Sequence, residues 1–265
     1  MNQDLMVRSI NTEPLKSVFE SFALANKDIE QGLCLSAKEI IRLMKFTTEY
    51  LPSAQSNFDD DSRYYEQIIF EDKQIPTRDD SWHDFFNALI WSDFPTCKAY
   101  LNHLHMVDIK AHGVHPRTKL RNKITLLDEC GVIVLTTNKE LKHAFEQQNW
   151  QAIFLNPRVS WFENTMPYMF GHAIYESLLQ PFIGLTGKAM IIEVASIETI
   201  NKCKDKHYLD ALVLEYLQQS SVFEKAKPFF PLPILGVPTW YSESQDAEFY
   251  ANTDYFMPKR KAKYD

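Results

Sequence analysis

The stretch SWHDFFNALIW, residues 81–91, constrains this chain more than any other. Six of the seven residues from Phe85 to Trp91 are apolar. A helix here has no face left for water and must be enclosed by other elements. Yet it carries His83, Asp84 and Asn87, which are costly inside a core unless they are paired or put to use. Ser81 followed three residues later by Asp84 is close to a capping box. The Ser hydroxyl would accept a first-turn N–H while the carboxylate reaches back, and an acid there complements the helix dipole. Asp84 therefore reads first as a cap and second as a catalytic acid. His83 and Asn87 lie four apart, on one helical face. They form either a satisfied structural network or contacts that orient a ligand.

The remainder of the 265 residues supplies the enclosure. At 45% hydrophobic and 13% aromatic with only seven glycines, the chain can bury a large core and is not of low complexity. Helical spacing or caps predict helices in TEPLKSVFESFALANK (Thr12 as cap), SAKEIIRLMKFTTEYL, DFPTCKAYLNHLH (Asp93 as cap, with a break at Pro95), NKELKHAFEQQNW, NTMPYMFGHAIYESLLQ and LDALVLEYLQQ. Strands are expected in RYYEQIIF and KAMIIEV. PSAQSNFDDDS reads as a loop, EDKQIPTRDD as the lead into the helix at 81–91, and ITLLDECGVIVL as a β-hairpin near residues 123–136, turning at Gly131. KPFFPLPILGVPTWY holds four prolines and is too apolar for a free linker. The expected organisation is a single α+β domain over 1–226, predominantly helical with a small sheet of three or four strands. Residues 227–265 are expected to form an extended Pro/aromatic-rich arm packed on it.

A formal charge of −7 disfavours a surface coated in cations for nucleic acid or lipid. Cys34, Cys97, Cys130 and Cys203 are isolated, without metal-ligand spacing, which fits a reducing compartment. The N-terminal stretch has no basic-then-apolar signal, and no apolar run approaches the ~20 residues that span a bilayer. A soluble, cytoplasmic protein with no membrane association is the expectation.

Three further constellations carry chemistry. His172 and Glu176 stand one turn apart after Gly171. Such a pair can bind one divalent metal ion or run acid–base catalysis, or simply hydrogen-bond on a helix surface. A glycine within a helix costs about 1 kcal/mol, and the compensation expected is close approach of another backbone or a ligand. Asp128 and Glu129 adjoin at the predicted turn, so at most one of them would face a shared pocket; if one joins His172 and Glu176, a metal or general-acid site follows. Residues 103–123, HLHMVDIKAHGVHPRTKLRNK, hold four of the eight histidines and five Lys/Arg against one acid. Arg117, Lys119 and Arg121 alternate, so on an extended segment they would line one face suited to phosphate; a solvated basic loop is the alternative. The tail KRKAK reads as a frayed terminus. No Walker loop, dinucleotide fingerprint, GxSxG elbow or HExxH motif is present, so common nucleotide and hydrolase machinery is not expected.

Five stretches together resemble the DUF3025 family, a bacterial family of unknown function: IPTRDDSWHDFFNALIWSDFP with Lys98, ITLLDECG, FGHAIYESLLQP, PLPILGVPTW and EFYANTDYFMPKRK. The resemblance spans roughly residues 64–260 and implies no mechanism. It implies only that Trp82, His83, Asp84, Asn87, Asp128, Glu129, His172 and Glu176 lie in the family's recurring stretches.

Two functional expectations follow. One is an enzyme acting on an anionic or phosphate-bearing substrate, with His83, Asp84, Asp128, Glu129, His172 and Glu176 as candidate catalytic groups or metal ligands. Arg78, Asn87, Arg117, Lys119 and Arg121 would hold the substrate. The other is a non-catalytic protein docking an anionic partner such as RNA through residues 103–123. Convergence of the histidines and carboxylates in one concave pocket would favour the first.

Overall fold

The computed structural model describes residues 3–24, 29, 35–156 and 160–259. Cys34 and most of the KRKAK tail lie outside them. The architecture is α+β and mostly helical. A four-stranded mixed sheet runs in the order β4 (Thr165–Met169), β3 (Gly131–Thr136), β5 (Thr186–Glu193) and β6 (Phe230–Pro233). β3 pairs antiparallel with β4 and parallel with β5, and β6 closes the far edge antiparallel to β5. Every residue of β3 is buried, as a central strand covered on both faces requires. The Pro-rich segment from Phe229 thus supplies an edge strand, where proline costs no ladder bond. Leu232, Ile234, Leu235 and Val237 beside it are fully buried. A second sheet is a short parallel pair, β1 (Leu51–Ala54) and β2 (Gln74–Thr77).

Helices α1 (Tyr65–Asp72), α2 (Trp82–Asp93), α3 (Pro95–His112), α4 (Lys119–Cys130), α5 (His172–Leu178) and α6 (Lys206–Gln219) surround the sequence's most apolar stretch. α2 is buried from Asp84 to Trp91. Phe86 stacks on Tyr175 of α5 at 5.1 Å between centroids, and Trp91 stacks on Tyr50 at 4.8 Å. The break at Pro95 occurs as expected, but Asp93 is not the cap. It pairs with Lys206 at 2.5 Å, while Asp210 of α6 accepts from the backbone N–H groups of Thr96 and Cys97 at 2.9 and 3.0 Å. A carboxylate from another helix therefore satisfies the first turn of α3.

Four local expectations are corrected. ITLLDECGVIVL is no hairpin: its first half is the end of α4, and the chain passes directly into β3 at Gly131. Leu120, Ile124 and Leu127 follow helical spacing, and short apolar runs of this kind are ambiguous in period. A Cβ on Gly131 would meet the Leu127 carbonyl oxygen at 2.4 Å, so the glycine serves the helix-to-strand switch. RYYEQIIF is helical from Tyr65 (α1), with Ile68 and Ile69 buried; the expected loop before it and the segment after it each supply a strand of the small sheet. NTMPYMFGHAIYESLLQ divides at Gly171 into β4 and α5. Thr12 is no cap; that helix begins at Leu15 without a side-chain cap. Among the described residues no helix is long and apolar enough to cross a membrane.

Candidate functional site

Gly171 is where the site is made. Its N–H donates to the Gly131 carbonyl at 2.7 Å, and an added Cβ would lie 2.5 Å from the Gly131 nitrogen and 2.6 Å from Cys130 backbone atoms. This close approach of two backbones seats the first residue of α5, His172, against the last turn of α4, which carries Asp128 and Glu129. Because that turn is helical, both acids reach the same region, contrary to the strand reading.

His83 completes the cluster from the first turn of α2. Its Nε2 lies 3.1 Å from Nε2 of His172, and His172 Nε2 lies 3.3 Å from Glu129 Oε2. Ligand atoms of His83, Glu129 and His172 all fall within 4.8 Å of one another. A tetrahedral zinc ion with bonds of about 2.0–2.1 Å spaces its ligand atoms about 3.3 Å apart, so the two measured separations match the edges of such a site. The state of His172 agrees. Burial pushes the His172 ring down to about 3, against the opposing pull of Asp128, so it is neutral and able to ligate. The Nδ1 of His83 sits 2.9 Å from Glu176 Oε2; an Nδ1–H donated to that carboxylate would turn the Nε2 lone pair to the cluster, as outer-shell carboxylates do for ligating histidines. Glu176 thus contacts His83, and the ligand atoms that converge are those of His83, Glu129 and His172, not the pair His172 and Glu176 that the one-turn spacing suggested. Burial and the adjacent Asp128 raise the Glu129 carboxyl above its usual range.

The other polar residues of α2 are accounted for. Ser81 Oγ accepts from the Asp84 N–H at 3.2 Å, the expected cap. The Asp84 carboxylate does not close the box; it accepts from the Arg78 backbone N–H at 2.7 Å and grips the guanidinium at 2.9 and 3.0 Å. Asn87 bridges Tyr65 Oη at 3.0 Å and Lys98 Nζ at 3.0 Å. Lys98 is only 5% exposed and also hydrogen-bonds Asp128. Its ammonium also lies 5.3 Å from the Trp91 ring centroid, a cation–π contact beside the two hydrogen bonds. Burial opposes charge on Asp128, but Lys98 and His172 outweigh it and hold the carboxyl low.

All but Lys98 and Glu176 among the site's charged groups border an open cavity of about 400 Å³. Arg78, His83, Asp84, Asn87, Arg117, Asp128, Glu129 and His172 all face it. Lys119 and Arg121 do not line it. α4 begins at Lys119, so the extended alternation of Arg117, Lys119 and Arg121 does not exist: Lys119 is exposed, and Arg121 is wholly buried. The Arg121 Nη1 donates to the carbonyls of Gly113 and Val114 at 3.2 and 2.7 Å.

A second, smaller chamber of about 20 Å³ adjoins and shares Tyr65, Glu66, His105 and Asp128 with the first. Glu66, Asn102 and His105 are site residues that the motifs and spacings of the sequence did not single out, and Lys98 entered only with the family resemblance. A signal existed: Lys98, Asn102 and His105 follow i, i+4, i+7 spacing, a polar stripe on a helix that also buries Cys97, Leu101 and Asp108.

A family model described as "Protein of unknown function (DUF3025)" matches residues 52–260. The chain belongs to the DUF3025 family. Every pocket residue named above falls inside the matched span of this DUF3025 protein. No curated protein and no solved structure matches the chain.

Proposed function

We propose that this DUF3025 protein is a divalent-metal-dependent enzyme acting on an anionic substrate in the 400 Å³ pocket. The observation that carries the reading is the three-ligand cluster of His83, Glu129 and His172. Three protein ligands with a face open to a cavity are the pattern of catalytic rather than structural sites. A bound divalent ion supplies Lewis acidity and an activated water. The chain's own residues do the rest. Glu176 fixes the His83 tautomer, neutral His172 offers a lone pair, and Asp84 holds the Arg78 guanidinium at the pocket wall. The charge balance supports an anionic substrate. Arg78 is neutralised by Asp84 and Lys98 by Asp128, leaving Arg117 against Glu129 and Glu176; a divalent cation reverses that balance to positive. The alternative of RNA docking through residues 103–123 gains no support from a segment folded into two helices with Arg121 in the core.

The test is a zinc titration of wild type and His172→Ala, followed by turnover assays of the zinc-loaded protein on phosphate and carboxylate esters. Tight zinc binding and zinc-dependent turnover in wild type, both lost in a folded His172→Ala, is the expected result. Wild-type protein that binds no divalent metal contradicts the reading.

A further inference from the structure

Away from the three ligands, the pocket ends against Glu66, His105 and Arg117. His105 is 4% exposed, and its Nδ1 is buried with no hydrogen-bond partner; Asn102 Oδ1 is in the same condition. Buried polar atoms without partners are rare in a finished core. Both residues line the small chamber, and His105 also lines the main pocket. Arg117 donates one bond to Tyr64 Oη at 2.9 Å, which leaves most of its fork for a ligand. Arg121 lies behind, its guanidinium 5.6 Å from the Tyr64 ring centroid, with Nε and Nη2 unpartnered.

Arg121, Arg117 and Lys98 bring positive charge to this end. After burial, which dominates, Asp128 holds the proton on His105 while Arg121, Arg117 and Lys98 drive it off, and the ring sits at about 4. Two carboxyls here would repel an anion: Asp128, which is paired with Lys98, and Glu66. Its Oε2 accepts from Asn102 Nδ2 at 2.7 Å, and its Oε1 lies 3.9 Å from His105 Nε2. Burial raises this carboxyl to about 7; the Asn102 bond, Lys98 and Arg117 pull it down, and Asp128 pushes it up. Near neutrality about half of Glu66 is therefore still a carboxylic acid, with an O–H to offer.

We propose that the end of the pocket formed by Glu66, His105 and Arg117 is an oxyanion subsite that takes an anionic group of the substrate together with one proton, which Glu66 carries. This deepens the metalloenzyme reading, since it places the substrate's anionic group relative to the ligand cluster. The bound anion accepts from the Arg117 fork, the His105 N–H and the Glu66 O–H. By linkage, binding and protonation of Glu66 favour each other equally. Loss of the Glu66 proton puts a carboxylate against the anion and expels it.

The probes are sulfate, which carries no titratable proton in the neutral range, and acetate, each titrated by calorimetry against the full chain with and without zinc. In wild type the affinity of the better anion should fall by up to about tenfold per pH unit above about pH 7. Glu66→Gln, neutral at every pH, should bind with a flat profile. Arg117→Gln, on the exposed wall, should lose about tenfold in affinity while keeping the wild-type slope, and it serves as the second probe if the Glu66 variant folds poorly. Preference for sulfate assigns a tetrahedral group and preference for acetate a carboxylate. Failure of both anions to bind, or a slope that Glu66→Gln leaves unchanged, overturns the proposal. Failure of the metal reading shows separately, as absent zinc binding with the anion slope intact.

Discussion

Gly171→Ala is the substitution whose consequence can be worked furthest. The added methyl carbon would stand 2.5 Å from the Gly131 nitrogen and 2.6 Å from the Cys130 carbonyl carbon and Cα, where van der Waals contact needs about 3.5 Å or more. All three atoms are backbone, so no side chain can swing away. The two segments must part by roughly 1 Å, which breaks the 2.7 Å bond from the Gly171 N–H to the Gly131 carbonyl and lengthens its 3.0 Å neighbour from Phe170. Overpacking costs ~1–3 kcal/mol, and each lost buried backbone bond adds about 1 kcal/mol, giving ~2–4 kcal/mol in all. The same displacement pulls His172 away from Glu129 and His83, so metal affinity should fall by more than about tenfold, the usual effect of disturbing a ligand's support. Urea unfolding measures the first effect, and zinc titration of the folded fraction the second. A variant within about 0.5 kcal/mol of wild type that binds zinc normally would refute the idea that this backbone contact builds the site.

Three other perturbations have defined outcomes. Lys98→Met strands Asp128 beside a buried apolar group; allowing for its partial exposure, the loss should be about 2–4 kcal/mol at neutral pH. Because the Asp128 carboxyl is held low in the folded protein, its contribution is present above about pH 4 and fades as pH drops through the folded value. The penalty should shrink in acid, and a Lys98→Met/Asp128→Asn double variant that recovers no stability would count against the pairing. Glu66 has the opposite sign. Its folded pKa of about 7 exceeds the ordinary 4.5, so its protonated form stabilises the fold fully below about pH 4.5, and that contribution is lost as pH rises through about 7. With 19% of the side chain still exposed, the loss should be on the order of 2 kcal/mol. Chemical denaturation at several pH values should show the slope in wild type and not in Glu66→Gln; the same slope in both would exclude Glu66 as its source. Glu176→Ala removes the hydrogen-bond acceptor beside His83 and leaves all three ligands in place, and zinc affinity should weaken by roughly 10–100-fold; unchanged affinity would mean that Glu176 does not orient the ring.

The sequence carried the residue types of the site but not their partners. The enclosed helix α2, the break at Pro95 and a close backbone approach at Gly171 were legible because each follows from local sterics or burial. The α4–β3 passage was not. An apolar run such as ITLLDECGVIVL has no period that separates helix end from strand, and reading it as a hairpin put Asp128 and Glu129 on opposite faces. In the last turn of a helix they converge. His172 was paired with Glu176 because they are one turn apart, whereas the contacts that matter cross between helices: His83 with Glu176, 93 residues apart, and His172 with His83, 89 residues apart. Such pairings are set by packing, here by Phe86 on Tyr175 and by the Gly171 contact, and leave no spacing signal. Arg121 shows the converse. Its alternation with Arg117 and Lys119 is real in sequence but meaningless on a helix, where it points one of the three into the core.

Native mass spectrometry of the full chain after incubation with equimolar zinc, beside His172→Ala and with the same samples denatured, tests the central claim most directly. The account predicts one zinc per wild-type chain, released on denaturation, and none on the folded variant. Wild type that stays metal-free, or a His172→Ala variant that retains the ion, would contradict it.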